Sequence, residues 1–310
     1  MKEYPMTFNE FTTRFATEQD CLTYLFQLRW GKGFSCPKCG FGDCWTVNSK
    51  LYTCKACRHQ ASVLAGTIFQ DTRKPLKDWF VAIWWVTTQK YGASAEGLQR
   101  ILGIKSYQTA WTWLHKIRTA MVSPGRSLLD GHIEIDETYI GGEDAGGKAG
   151  RGSEKKTLVV IAAEINGNKL GRIRLETSND ASSMSLHKFI ESNIKRGSTL
   201  ITDAWSGYNK IEDKGYKRVI YNQSKSEAPD ELLPHVHTIA SLLKRWLLGT
   251  HQGGVQDKHL QAYLDEYVFR FNRRTSKDRG LLFYRLIENA MQTPPTTYSG
   301  FVHKATAEKK

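Results

Sequence analysis

Two short apolar stretches, each running into an aspartate, decide how this chain folds: Ile133-Glu-Ile-Asp-Glu-Thr-Tyr-Ile140 and Thr199-Leu-Ile-Thr-Asp-Ala-Trp-Ser-Gly-Tyr208. In the first, Ile133 and Ile135 alternate with His132, Glu134 and Asp136, the period-two pattern of a strand with one face in a core. Leu158–Ile165 is a nearly unbroken apolar run, and Arg172-Ile-Arg-Leu-Glu-Thr alternates again. A helix is expected over Ala181–Ile194 and a short strand over Ser198–Thr202, followed by mainly helical sequence. Strands mixed with helices predict an α/β domain, a mixed sheet with flanking helices, over residues 130–292.

Upstream the pattern changes. Residues 1–30 read as helical, with Phe8, Phe11, Phe15, Cys21, Leu22, Leu25 and Leu28 at helical spacing. Residues 31–65 are rich in Gly and Cys and fit short strands with tight turns; residues 70–120 are helical again and dense in Trp. A polar tail is expected over 293–310. The 310 residues carry 44 Lys and Arg against 31 Asp and Glu, a net +13, of which the first 120 residues hold 16 basic and 8 acidic. Such an excess points to a polyanionic partner, because binding nucleic acid releases its condensed counterions; solubility alone is the plainer alternative. Apolar residues spread throughout exclude a disordered basic tail. No apolar run approaches the roughly 18 residues of a membrane span, and the start lacks the apolar stretch of a signal peptide. The reading is a soluble, intracellular chain.

Cys36-Pro-Lys-Cys39 and Cys54-Lys-Ala-Cys57 are two CxxC pairs 14 residues apart. Each pair offers two thiolates from one turn, and two pairs complete a closed tetrahedral site, so Cys36, Cys39, Cys54 and Cys57 are expected to hold a structural Zn²⁺. His59 is a competing ligand, Cys21 is assigned to the core, and Cys44 is left unassigned. Arg29, Lys32, Lys38, Lys50, Lys55 and Arg58 interleave with Trp30, Phe34, Phe41, Trp45 and Tyr52 around these turns. Most of the aromatic residues are expected in the core of so small a domain, leaving the Lys and Arg as its functional part.

Ser94 through Arg118 has the punctuation of a helix-turn-helix: a first helix ending at Gly103, a turn through Lys105 and Ser106, and a second helix over 107–118. Gln108, Thr109, Thr112, Lys116 and Arg118 are the expected DNA contacts. A purely structural hairpin has the same periodicity.

Aspartates at the ends of neighbouring strands can hold two divalent cations about 4 Å apart on one phosphodiester, although either Asp136 or Asp203 alone would be an ordinary turn former. A third stretch, Pro234-His-Val-His-Thr-Ile-Ala-Ser-Leu-Leu-Lys-Arg-Trp-Leu-Leu-Gly-Thr250, puts Ile239, Leu242, Leu243, Trp246 and Leu247 on one helical face. His237 and Lys244, seven residues apart, fall nearly in line and off that face. His237 is therefore solvated or part of a metal site. The glycine-rich segment 141–152 lacks phosphate-loop spacing and reads as a flexible hairpin between two strands, with contact of Lys148 and Arg151 with DNA as the alternative. Arg270, Arg273 and Arg274 either meet phosphate or favour a helix C-terminus.

Taken in order, the four-cysteine segment, IEIDETYIGG, ITDAWSGY, the LLKRW helix and the run from His259 to Arg274 resemble the bacterial insertion-sequence transposases that join a zinc ribbon to a DDE-type, RNase H-like catalytic domain. The resemblance implies an RNase H-like fold and cleavage and joining of DNA. It implies Mg²⁺ or Mn²⁺ held by Asp136 and Asp203, with Lys244 on the third-motif helix. Where much of the family has a Glu seven residues before that Lys, this chain has His237, which Mn²⁺ tolerates better than Mg²⁺. Glu231 and Glu266 are alternative third acids. Partners implied are double-stranded DNA (transposon ends and target) and further copies of the chain, a homodimer or larger. The implied location is the bacterial cytoplasm, at the nucleoid. A DNA-binding regulator that has lost catalysis, or a nuclease that cuts without joining, are the competing functions.

Overall fold

The structure is a computed structural model in which residues 4–141, 156–221, 233–252 and 255–307 are described. Glu231, Lys148 and Arg151 lie outside them. The chain divides into two units, Met1–Pro124 with Ser276–Lys310, and Gly125–Thr275.

The first unit contains helices α1 (Phe8–Arg14) and α2 (Glu18–Trp30) and a three-stranded antiparallel ribbon, β1 (Cys44–Thr46), β2 (Leu51–Cys54) and β3 (Gln60–Ser62). Helices α3 (Leu76–Thr88), α4 (Ala95–Leu102) and α5 (Tyr107–Ala120) follow. Thr17 and Asp20 form a reciprocal capping box that separates α2 from α1, where sequence alone suggested one helical stretch. The core is aromatic: Phe11 packs on Trp84, ring centres 4.8 Å apart, Phe15 on Phe80 at 4.8 Å, and Trp79 stacks on Trp113 at 3.9 Å. Cys21 is fully buried, as expected, and burial pushes its thiol up to about 12.

Helix α9 (Arg279–Gln292) belongs to this unit, not to the sheet domain into which the 130–292 boundary placed it. Its Phe283 meets Phe11 at 5.4 Å and Trp84 at 5.6 Å. An amphipathic pattern announces a buried face but not which core receives it. The expected polar tail also contains a helix, α10 (Tyr298–Ala307), whose Tyr298 and Phe301 lie against Trp111.

The second unit is a five-stranded mixed sheet: β4 (His132–Ile140), β5 (Thr157–Asn166), β6 (Lys169–Ser178), β7 (Thr199–Thr202) and β8 (Lys217–Ile220), in the order β6-β5-β4-β7-β8. β4, β5 and β6 pair antiparallel, whereas β7 runs parallel to β4 and β8 parallel to β7. This mixed α/β sheet has the RNase H-like arrangement. Helix α6 (Ser183–Asn193) covers one face with Leu186, Phe189 and Ile190 over Ile133, Ile135 and Leu200. Helices α7 (Pro234–His251) and α8 (Leu260–Phe271) cover the other, over Val159, Ile161, Ile173 and Leu175. Alternation along β4 therefore assigns Ile133 and Ile135 to the α6 face and Glu134 and Asp136 to the α7 face.

An open sheet edge invites unwanted pairing, and β6 is closed by side-chain amides. Gln261 accepts from Thr177 N and donates to Leu175 O; Asn272 accepts from Ile173 N at 2.8 Å and donates to Ile173 O at 3.1 Å. Near this edge the buried Glu164 accepts from Arg172 Nη2 at 2.6 Å, Arg172 Nε at 2.9 Å and Asp130 N at 3.0 Å. Burial opposes its ionisation, but these donors win and hold the carboxyl below its ordinary value. The paired form thus stabilises the fold at neutral pH, and that contribution disappears as pH falls through the lowered value. Glu164→Gln is expected to cost about 1–3 kcal/mol at pH 7, since Arg172 keeps partial access to water. In denaturant titrations the gap from wild type should close below about pH 4.

Candidate active site

The parallel register pairs His132 with Thr199 and Glu134 with Ile201; carried two residues further, it places Asp136 beside Asp203. Each carboxylate is fixed by its own turn. Asp136 Oδ1 accepts from Glu137 N at 2.8 Å, and Asp203 Oδ1 accepts from Trp205 N at 2.9 Å. Burial raises the Asp136 carboxyl above its ordinary value, the Asp203 charge raises it further, and Glu137 N and His237 pull it back. Two acids pressed together in this way favour a cation between them.

The sequence ITDAWSGY is explained by how it holds Asp203. A Cβ on Gly207 would lie 2.5 Å from Ala181 O and 2.6 Å from Trp205 Nε1, so only glycine fits this bend. Trp205 Nε1 donates to Ala181 O at 2.8 Å. From β8, Arg218 donates through Nη2 to the carbonyls of Asp203 and Trp205, and through Nε to Thr202 Oγ1. Tyr208 is fully buried, and burial and the Glu137 charge keep its phenol protonated; it donates to Glu137 Oε1 at 2.6 Å.

His237 reaches this pair from α7. Its Nε2 lies 3.3 Å from Asp136 Oδ2. Asp136, His237 and Lys244 line one cleft of about 430 Å³, with Glu137, Thr138 and Ser241. The expected apolar stripe faces the sheet, where Ile239, Leu243 and Leu247 are buried and Leu242 and Trp246 are partly so. That orientation leaves His237 and Lys244 on the cleft side.

What fixes the helix start was missed in the sequence. Leu233 at the N-cap has no capping oxygen, and the free N–H groups of His235 and Val236 are taken by Glu134 Oε2 at 2.8 and 3.0 Å. Glu134 Oε1 also meets His235 Nδ1 at 2.7 Å. One strand thus presents two acids to one helix: Glu134 anchors it through His235, and Asp136 faces His237. Period two already placed Glu134 on the buried face of Asp136, and a buried charge there demands a partner. Arg218 carried no comparable signal.

Of the alternative third acids, Glu266 is buried and bound by Arg270 of its own helix, Nη2 to Oε1 at 2.8 Å. Arg270 is thereby occupied as an ion-pair partner, while Arg274 donates to the Gly171 and Leu170 carbonyls and Arg273 to Phe269 O.

In the ribbon, the Sγ atoms of Cys36, Cys39, Cys54 and Cys57 all lie within 4.8 Å of one another, with Cys36–Cys57 and Cys39–Cys54 both at 3.6 Å. Zn–S bonds near 2.3 Å put tetrahedral sulfurs about 3.8 Å apart, so the four thiolates suit zinc. His59 stands outside this group, which is the only such cluster of His, Cys, Asp or Glu among the described residues; Asp136, Asp203 and His237 are more widely spread. Trp30, Phe34 and Tyr52 form a core with Phe26, as expected of most ribbon aromatics.

The helix-turn-helix punctuation also stands in the structure. Ser94 caps α4 at Gly97 N, Gly103 ends it at φ +62°, and Ser106 caps α5 at Thr109 N. Gln108 is exposed, whereas Thr109, Thr112 and Lys116 are half-buried. Arg118 must be removed from the expected DNA contacts. It is 1% exposed, and its Nη2 donates to Ala93 O at 3.2 Å. Four residues past Leu114 and eight past Ala110, both buried, it lies on the core side of α5, where a guanidinium ties the helix to the preceding loop.

The ISXO2-like transposase domain family matches residues 128–272, and the transposase zinc-ribbon domain family matches residues 16–60. The chain thus carries a transposase zinc ribbon followed by an ISXO2-like transposase domain. An uncharacterized protein in the transposable element ISH50 of Halobacterium salinarum is similar along most of its length, 25% identical over 83% of this chain and 91% of that protein. Among solved structures, the catalytic core domain of BIV integrase is 14% identical, covering 58% of the transposase and 99% of that chain at a TM-score of 0.33. The Mos1 transposase paired-end complex with the left transposon end is 12% identical, covering 76% and 81% at a TM-score of 0.29. No described helix of the transposase is long and apolar enough to cross a membrane.

Proposed function

We propose that this transposase binds the ends of its insertion sequence and cuts and joins DNA at the cleft between β4, β7 and α7. The observation that carries the reading is the meeting of Asp136 with His237 at 3.3 Å, beside Asp203 in register and with Lys244 in the same cleft. Two carboxylates and an imidazole nitrogen suit a divalent metal, and the nitrogen favours Mn²⁺ relative to an all-oxygen set. Bound Mg²⁺ or Mn²⁺ would polarise the phosphodiester and stabilise the attacking and leaving oxygens.

The chain's own residues do the rest. Asp136 and Asp203 supply fixed negative charge, since each spends one oxygen on its own turn and keeps the other for a metal. Glu134 holds α7 so that His237 faces Asp136. Lys244, a point charge on a flexible stem, takes a non-bridging phosphate oxygen. Water attack at a transposon end then leaves a 3′-OH, which displaces a 3′-oxygen in target DNA within the same cleft, without a covalent protein–DNA bond. In this reading Gln108, Thr109, Thr112 and Lys116 of α5 meet DNA, two copies bring two ends together, and the protein works at the nucleoid.

The test is incubation of the purified protein with DNA flanking its own gene, in Mg²⁺ and separately in Mn²⁺. Joined products are expected. Nicks without joining would indicate a nuclease, and tight specific binding without cleavage under either metal a regulator.

A further inference from the structure

The zinc ribbon carries a charged aromatic face that its fold does not use. Its two cysteine turns are built alike: Gly40 N donates to Cys36 O at 2.9 Å, and Arg58 N donates to Cys54 O at 3.1 Å. Both residues that close these turns are left-handed, Gly40 at φ +74° and Arg58 at φ +60°. Glycine takes that conformation freely, while a residue with a Cβ is strained by it. The second turn nevertheless has arginine, whose guanidinium lies exposed over Trp45, 4.3 Å from the ring centre.

Trp45 is itself 42% exposed, and Phe41, which follows Gly40 on the first cysteine turn, is 46% exposed. They contrast with Trp30, Phe34 and Tyr52, which fill the ribbon core. Residues 31–65 contain five Lys and Arg against one acid, Asp43, which holds Lys55 at 2.7 Å. A net positive surface with exposed rings and a planar cation suits a polyanion that also offers flat apolar groups, which is the chemistry of nucleic acid.

We infer that Arg58, with Trp45 and Phe41, forms a contact surface for duplex DNA on the zinc ribbon. The inference rests on the DNA-binding reading above and extends it to a second surface, separate from the cleft of Asp136 and Asp203. Arg58 meets a phosphate, Trp45 keeps its guanidinium extended, and the backbone strain is retained because glycine would supply no charge.

The test exploits that strain. Arg58→Gly removes the guanidinium while suiting the backbone, so the fold should be kept. Full-length protein, wild type, Arg58→Gly and Trp45→Ala, is titrated with duplex DNA carrying the element's end, by fluorescence anisotropy at several salt concentrations. Arg58→Gly is expected to bind about tenfold more weakly, with the salt slope reduced by about one, while its melting temperature holds or rises and its zinc content is unchanged. Trp45→Ala is expected to weaken binding in the same direction. Wild-type affinity in Arg58→Gly overturns the inference. So does a lower melting temperature with lost zinc, which would make Arg58 a folding residue. If wild type itself binds no DNA, the broader reading fails as well; if only joining fails, DNA binding by the ribbon still stands or falls on these titrations.

Discussion

Asp203→Asn is expected to lower DNA cleavage and joining by roughly a thousandfold or more, equivalent to about 4 kcal/mol of transition-state stabilisation. The substitution removes one negative charge and almost nothing else. Asn keeps the oxygen that accepts from Trp205 N, and the clamp of Arg218 on the Asp203 and Trp205 carbonyls uses backbone atoms. Gly207 and Trp205 continue to shape the bend. The melting temperature and affinity for end DNA should therefore stay near wild type while products vanish. A variant that still joins DNA at a comparable rate would mean that the chemistry does not pass through Asp203.

The second large effect is expected in the other unit. Cys54 is fully buried and shares a 3.6 Å contact with Cys39, so Cys54→Ser takes one thiolate from a closed set of four. The ribbon's strands have three or four residues each, too few to hold together without help. Structural zinc in small domains contributes about 10–16 kcal/mol of apparent binding energy, most of it realised as folding. Cys54→Ser should lose its zinc, expose the Phe26, Trp30, Phe34 and Tyr52 cluster to water, and become sensitive to proteolysis between residues 36 and 62. Strong chelation of wild type should do the same. Zinc analysis and limited proteolysis read both outcomes. Full zinc content with an intact ribbon in the variant would contradict the four-thiolate site.

Much of this was legible because the chemistry depends on local pattern. Alternation in Ile133–Ile140 gave a strand and the face of Asp136; the two CxxC pairs announced the cluster of four thiols; the apolar stripe of the LLKRW helix set His237 and Lys244 on one side. What escaped depends on partners distant in sequence. Glu134 caps a helix that begins a hundred residues later, and Arg218 clamps a loop from a neighbouring strand. Helix α9 inserts Phe283 into a core made by the first hundred residues. Arg118 read as a phosphate contact because charge on a helix usually faces water, yet here it is buried and bound to a carbonyl.

The central claim is that Asp136, Asp203 and His237 together hold the divalent metal. Calorimetric titration of the zinc-loaded protein with Mn²⁺ tests it without requiring a DNA substrate. Wild type is expected to bind Mn²⁺, and Asp136→Asn, Asp203→Asn and His237→Ala are each expected to weaken that binding at least about tenfold while keeping the wild-type melting temperature. Equal Mn²⁺ binding by all four proteins would place the metal elsewhere and contradict the account.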